Sequence, residues 1–295
     1  MDMITSRTSF TNRSEMRVLR SHWPLWLGLA LLLIPTLIRL AQEAWTAEAG
    51  VHGPIVLATA AWLLVRAWPE VAALQRPGNR WIAWTLITGF LLMYVFGRAF
   101  SFLSVEVFAA IAVLVSVAYL YLGAAVLLRF WFPILYLIFI VPLPGWLIDG
   151  ITAPLKSYIS HSATAILDAA GYPIAREGVT LVIAQYQLLV EDACAGLNSI
   201  VSLTAISLFY IYLLHNASWR YSMLLFFFIL PAAMFANLVR VLLLVLITYH
   251  FGNAAAQGFL HSTAGMIMFV VALLSIFAVD KLLTPVRRYL TKDVQ

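Results

Sequence analysis

Long apolar runs separated by short polar stretches dominate this chain, and the length of the runs carries the first conclusion. Eight windows are long enough, or nearly so, to cross a hydrocarbon core: 23–41, 54–68, 81–96, 107–128, 130–148, 195–214, 223–248 and 259–279. A core of roughly 30 Å needs about 20 helical residues. The only extended segment outside these windows is 149–193. Its first part places Leu155, Tyr158, Ile159, Ala163, Ile166 and Leu167 at helical spacing among Lys156, Ser160, His161 and Asp168. That pattern predicts an amphipathic helix lying on the membrane surface. After Gly171-Tyr172-Pro173, apolar residues alternate through Val179, Leu181, Ile183, Tyr186, Leu188 and Val190, which predicts one or two short strands. The expected fold is an all-α polytopic membrane protein of about eight transmembrane helices. It forms a single domain with a small outer cap over 149–193, and no internal repeat is visible.

Composition agrees, with 63% of residues hydrophobic and 11% charged, far from the soluble average of about half and a quarter. Orientation follows from lysine and arginine, which cytoplasmic loops retain. With the amino terminus inside, the inner set is Arg7, Arg13, Arg17, Arg20, Arg66, Arg76, Arg80, Arg129, Arg220, Lys281, Arg287, Arg288 and Lys292. The outer set is only Arg39, Arg98, Lys156 and Arg176, and most carboxylates, including Glu43, Glu106, Glu191 and Asp192, fall outside as well. Both termini are therefore expected in the cytoplasm. The net charge of +5 reflects that asymmetry and gives no reason to expect a nucleic-acid partner. The first run is long and contains Pro35 and Arg39, so it reads as a retained span rather than a cleaved leader.

Candidate chemistry begins with Cys194, the single cysteine, at the junction of the outer segment and the sixth window. It has no internal disulfide partner and belongs to no cysteine-rich metal site, which leaves an inert buried thiol or a reactive one. In the seventh window Asn237 and Arg240 stand three residues apart on one helical face. An intramembrane arginine is costly enough that it serves a cavity, ties helices together or snorkels to an interface. His261 opens the eighth window from the outside, with Gly265 one turn on, and His250 beyond the seventh window is a rival base. At 1.5 Å per residue Arg240 lies about 12 Å below the outer end of its window, so residues from three spans can meet at one depth. Their chemistry is complementary: a thiolate attacks an amide carbonyl, an imidazole moves the proton, and a guanidinium stabilises the oxyanion. Glu191 and Asp192 oppose this by raising the thiol's pKa, whereas Arg240 and cationic His261 lower it. Asn198, one turn beyond Cys194, either orients the site or bridges helices.

Three blocks in order, Ala193-Cys194-Ala195-Gly196-Leu197-Asn198-Ser199, then Pro231 to Asn237 with Arg240, then His261 with Gly265, resemble the signatures of the exosortase/archaeosortase family. The resemblance is concentrated in 179–279, and the first four windows match only in general character. It implies a membrane cysteine protease or transpeptidase of the bacterial inner membrane with its active site facing the periplasm. Its substrates would be membrane-anchored proteins bearing a carboxy-terminal sorting tail of the Pro-Glu-Pro type, passed through an acyl-thioester to an acceptor nucleophile. By the same resemblance Cys194 is the nucleophile, His261 the general acid/base and Arg240 the oxyanion stabiliser, with Asn198 and Asn237 in support. The family implies no cofactor and no metal; lipid and the tail-bearing protein are the expected partners. Because the sequence stops at Gln295 soon after the last window, it resembles a short form akin to exosortase B.

The rival class is a polytopic transporter with an Arg240/Asn237 cavity, but such a protein needs no thiol at a loop boundary and would show internal symmetry. A metalloprotease would carry a motif such as His-Glu-x-x-His, which is absent. A membrane-impermeant maleimide is expected to label Cys194 in intact spheroplasts and not in inside-out vesicles. Labelling from the inner side alone would overturn the orientation.

Overall fold

A computed structural model describes residues 23–46, 50, 52–189, 199–214, 219–262 and 264–286. These divide into one unit within 1–43 and 69–129 and a second within 44–68 and 130–295. Among the described residues five helices are long and apolar enough to cross a membrane: Trp23–Ala44, Gly53–Leu74, Arg80–Ala99, Leu103–Arg129 and Met223–Phe251. Two further apolar stretches, Trp131–Ile140 and Thr204–Leu213, are shorter. The expected second window, 54–68, the shortest in sequence, is thus part of a full-length helix that carries Arg66 and Glu70 and runs on to Leu74.

In the first unit α1 (Trp23–Arg39), α3 (Arg80–Ala99) and α4 (Leu103–Arg129) pack together. Their core is Leu29 and Leu32 from α1, Ile87 from α3, and Ala110, Val113 and Val117 from α4. A fully buried carboxylate sits at one end of this bundle. Glu106 accepts from Arg39 Nη1 at 2.5 Å, Arg98 Nη1 at 2.7 Å and Thr36 Oγ1 at 2.9 Å, so one side chain ties all three helices. Tyr94 OH reaches the same Thr36 hydroxyl at 3.0 Å. Arg39 is also held on its exposed side by Glu43, at 3.0 Å. The sequence places these groups simply in the outer loops; the structure draws Glu106 inside, because its charge is met by two guanidinium groups and a hydroxyl.

Helix α4 is broken at Gly123, whose φ of 80° and ψ of 175° are essentially closed to other residues. The break frees carbonyls that the passing loop takes up: Arg76 N donates to Leu122 O and Gly78 N to Leu120 O. A side chain at Gly123 would collide with the Arg76 carbonyl.

The second unit contains α2 (Gly53–Val71) up to its last turn, α5 (Trp131–Tyr136), α6 (Gly145–Ala169), a small sheet, and α7 (Ser199–Leu214) to α10 (Ala264–Leu282). The expected fifth span, 130–148, is not one helix: α5 passes into a 3-10 turn, Leu137–Ile140, and stops. Pro142 and Pro144 lack N–H donors and push the preceding residues out of helical conformation, and Pro144 then serves as the N-cap of α6. The turn is packed by aromatic rings, with Phe132 stacked on Tyr212 of α7 at 3.9 Å and Phe209 of α7 against Trp62 of α2.

The expected amphipathic helix is present in α6, but its buried stripe, Ile159, Ala163 and Leu167, faces protein. Tyr158 and Ile166 remain exposed. The stripe is covered because the segment that follows folds back on it. That segment forms three strands rather than one or two: β1 (Ile174–Glu177), β2 (Thr180–Ile183) and β3 (Tyr186–Leu189), antiparallel in the order β1-β2-β3. Two-residue turns join them, the first through Gly178 at φ 63° and the second through Ala184 at φ 50°. Such conformations match the twist of tight hairpins.

Helix α8 (Trp219–Phe251) is the long element of this unit and packs against α6, α7, α9 (Asn253–Ser262) and α10. Near its beginning Tyr221 OH donates to Asp280 Oδ1 of α10 at 2.6 Å, and Tyr210 OH of α7 to Oδ2 at 3.2 Å.

Glu106→Gln is expected to destabilise the first unit by about 3 kcal/mol, as removal of one partner from a buried ion pair does. Glu43→Gln, on the exposed side of Arg39, is expected to cost under about 1 kcal/mol. Chemical denaturation in detergent followed by tryptophan fluorescence distinguishes the two.

Candidate active site

The buried face of α8 is a continuous stripe: Ala232, Ala233, Ala236, Asn237, Arg240, Val241, Leu244, Val245 and Thr248. Its opposite face, with Phe227, Leu230 and Phe235, is exposed, as a lipid-facing surface requires. Arg240 is 3% exposed and Asn237 1%. Each is engaged by a partner. Arg240 therefore does not snorkel, and its guanidinium is committed to the protein interior. The three alanines just before it are small enough for neighbouring helices to approach closely.

The cap docks on the same helix immediately after Arg240. Ile159, Ala163 and Leu167 of α6, Leu181, Ile183 and Leu188 of the sheet, Val241, Leu244 and Val245 of α8 and Ala256 of α9 form one buried core. Strand β3 packs on α8. Its first residue, Tyr186, has its hydroxyl beside Gly252, just beyond the end of α8. Leu188, two residues on, shares the core with Val241. Arg176 of β1 donates to Ser160 Oγ of α6 at 3.4 Å, so this outer cation helps to close the cap on itself.

Of the residues singled out in the sequence, Asn237 and Arg240 share one buried face as expected, while Cys194 and Asn198 lie outside the described residues. Helix α8 continues to Phe251, where Gly252 at φ 84° ends it. Arg240 is thus about 17 Å from that end at 1.5 Å per residue, deeper than the expected 12 Å. His261 is the penultimate residue of α9, and Gly265 is the second residue of α10. Residue 263 between them lies outside the described residues, and α9 joins the cap core through Ala256.

A family model described as transmembrane exosortase (Exosortase_EpsH) matches residues 44–278, a span that includes the cap, the Arg240 face and α9. The chain belongs to the exosortase family. No curated protein and no solved structure gives a match. Exosortases are membrane protein-sorting enzymes, generally cysteine transpeptidases that act on proteins with sorting tails. This exosortase is accordingly a multi-pass membrane protein.

In this exosortase the rival base His250 has Nε2 3.3 Å from Tyr172 OH and packs edge-on against Tyr172 and Tyr249. It serves the junction between cap and α8. Trp146 is 74% exposed at the start of α6, the position of an interfacial anchor. Among the described residues no group of three or more His, Cys, Asp or Glu side chains is arranged to hold a metal.

Sequence reasoning passed over His52 as a structural residue. It is buried before α2, with Nε2 2.9 Å from the Phe139 carbonyl. A carbonyl only accepts, so Nε2 carries the hydrogen. Burial lowers its pKa below the ordinary 6.5, and the Phe139 bond offsets this only in part. The unfolded chain therefore binds the proton more readily than the folded one. His52 favours folding least in acid, and stability rises with pH through the interval between the lowered folded value and 6.5. Unfolding of the wild type in detergent is expected to become easier as pH falls from 7 to 5, and His52→Gln to flatten that dependence. An unchanged slope in the variant would show that His52 is not the group responsible.

Proposed function

We propose that this exosortase cleaves carboxy-terminal sorting tails of exported proteins through Cys194, Arg240 and His261, at the periplasmic face of the inner membrane. The observation that carries the reading is the docking of β3 onto α8 beside the buried Arg240. The strand that leads within five residues to Cys194 shares a core with Val241, the neighbour of Arg240. His261 stands on α9, whose Ala256 belongs to that same core. Family membership over 44–278 supports the same chemistry.

The reaction proceeds in two halves. His261 takes the Cys194 proton, and Sγ attacks the scissile carbonyl carbon to form a C–S bond. Arg240 supplies fixed charge and donors to the oxyanion, which a preorganised apolar surrounding makes effective. Collapse breaks the C–N bond, His261 returns the proton to the leaving amine, and the tail departs with its membrane helix. The acyl-thioester then receives the acceptor nucleophile, whose proton passes to His261 as the thiolate leaves. A sorting tail of the Pro-Glu-Pro type, followed by a hydrophobic helix with a basic cluster retained inside, would present its cleavage point at the outer interface. The positive-inside pattern of this chain sets its own outer face at that level. Asn237, one turn before Arg240 on the buried face, orients the guanidinium, and Asn198 supports the thiol.

Co-expression with a tail-bearing substrate tests the assignment. Tail removal is expected to be abolished by Cys194→Ala, to fall about 10²–10³-fold in Arg240→Gln and about 10²–10⁴-fold in His261→Ala. Undiminished processing by the cysteine variant would reject the mechanism.

A further inference from the structure

The exosortase reading leaves unused a polar cluster at the other end of the same helices. Asp280, 8% exposed, takes Tyr221 OH on Oδ1 at 2.6 Å and Tyr210 OH on Oδ2 at 3.2 Å, while Tyr221 itself is fully buried. The Asp280 carbonyl also lies 3.3 Å from Tyr221 OH. Around this cluster the three helices pack through an apolar core of Ile211 of α7, Leu225, Ile229 and Ala232 of α8, and Ile276 of α10.

Apolar contacts between helices in lipid set register weakly, because lipid tails are as apolar as the side chains and nothing directional resists a slip. A slip of one residue moves a helix by about 1.5 Å, and a misplacement of about 1 Å at a reacting centre costs on the order of 10²-fold in rate. A carboxylate with two directional hydroxyl donors from two different helices resists such slips, as single buried polar residues do in coiled coils.

The cluster lies far from the proposed chemistry on every helix. At 1.5 Å per residue, Tyr221 is about 28 Å along α8 from Arg240, and Asp280 about 24 Å along α10 from its first residue, three beyond His261. Tyr210 is about 16 Å along α7 from its first residue, Ser199, which follows Cys194 by five. We infer that Asp280 is a positioning residue: by binding Tyr210 and Tyr221 it fixes the axial register of α7, α8 and α10, and so the depth at which Cys194, Arg240 and His261 are presented to one another. This rests on the reading of those three residues as one site.

The sole cysteine makes the register measurable without a substrate. The rate of Cys194 alkylation by iodoacetamide in the purified, detergent-solubilised protein is followed against pH, and its midpoint reports the thiolate. The charged and titratable groups assigned to that thiol are Glu191 and Asp192, which raise the midpoint, and Arg240 and His261, which lower it. The variants are Asp280→Leu, Asp280→Asn, Tyr221→Phe, Arg240→Gln and the double variant Asp280→Leu/Arg240→Gln, each taken as a monodisperse protein.

Asp280→Leu is expected to raise the midpoint and slow alkylation at pH 7 by at least about tenfold, as the cationic groups lose their placement. Asp280→Asn, which keeps an acceptor for Tyr221, is expected to recover most of that loss. Tyr221→Phe, the gentler change should Asp280→Leu fail to fold, is expected to slow alkylation about threefold in the same direction. The double variant is expected to be no slower than Arg240→Gln alone, since Asp280 acts through the placement of that group. A wild-type midpoint in folded Asp280→Leu or Tyr221→Phe would overturn the proposal, as would an additive double variant. A wild-type midpoint in Arg240→Gln would instead overturn the site reading, so the two failures are distinct.

Discussion

Hydrocarbon accepts no hydrogen bond, so a polar or charged group within an apolar bundle persists only where other protein groups meet it. That constraint explains the few polar positions on which this fold turns. Glu106 is fully buried because Arg39, Arg98 and Thr36 surround it. Asp280 is held by two tyrosines. Arg240 and Asn237 are turned away from lipid on the inward stripe of α8. Each is a point where helices with otherwise interchangeable apolar faces acquire a definite relation to one another.

The cap obeys the same rule in a different form. Its three strands expose backbone groups that pair with one another, and the apolar face of the sheet is covered by α6 and α8. The result is a compact support for the chain on its way to Cys194, built on the helix that carries Arg240. The exosortase family match takes in both the cap and the helix on which it rests, whose buried face carries Arg240 one residue before the shared core begins at Val241.

Much of this was legible from residue order. The helices of the first unit, the length of α8 and the shared face of Asn237 and Arg240 follow from run length and three-residue spacing. The stripe Ile159, Ala163 and Leu167 was visible as well, although its covering was not: an amphipathic helix facing lipid headgroups and one facing a sheet have the same pattern. The third strand was hidden because the turn at Ala184 lacks the usual glycine or asparagine. The break in the fifth run was marked by Pro142 and Pro144, but the apolar length of 130–148 outweighed them in a reading by hydropathy.

The sequence by itself determined the class of molecule and the residues available for its chemistry, because hydropathy and side-chain identity are local properties. It also pointed to the family, through three short blocks, and the family model over 44–278 bears out that assignment. Tertiary structure alone decided which charges are buried together and that the cap rests on α8 just beyond Arg240. Those relations join Thr36 to Glu106, Leu188 to Val241 and Tyr221 to Asp280. Local spacing carries no record of such partners, since only packing of the whole bundle brings distant segments within hydrogen-bond reach.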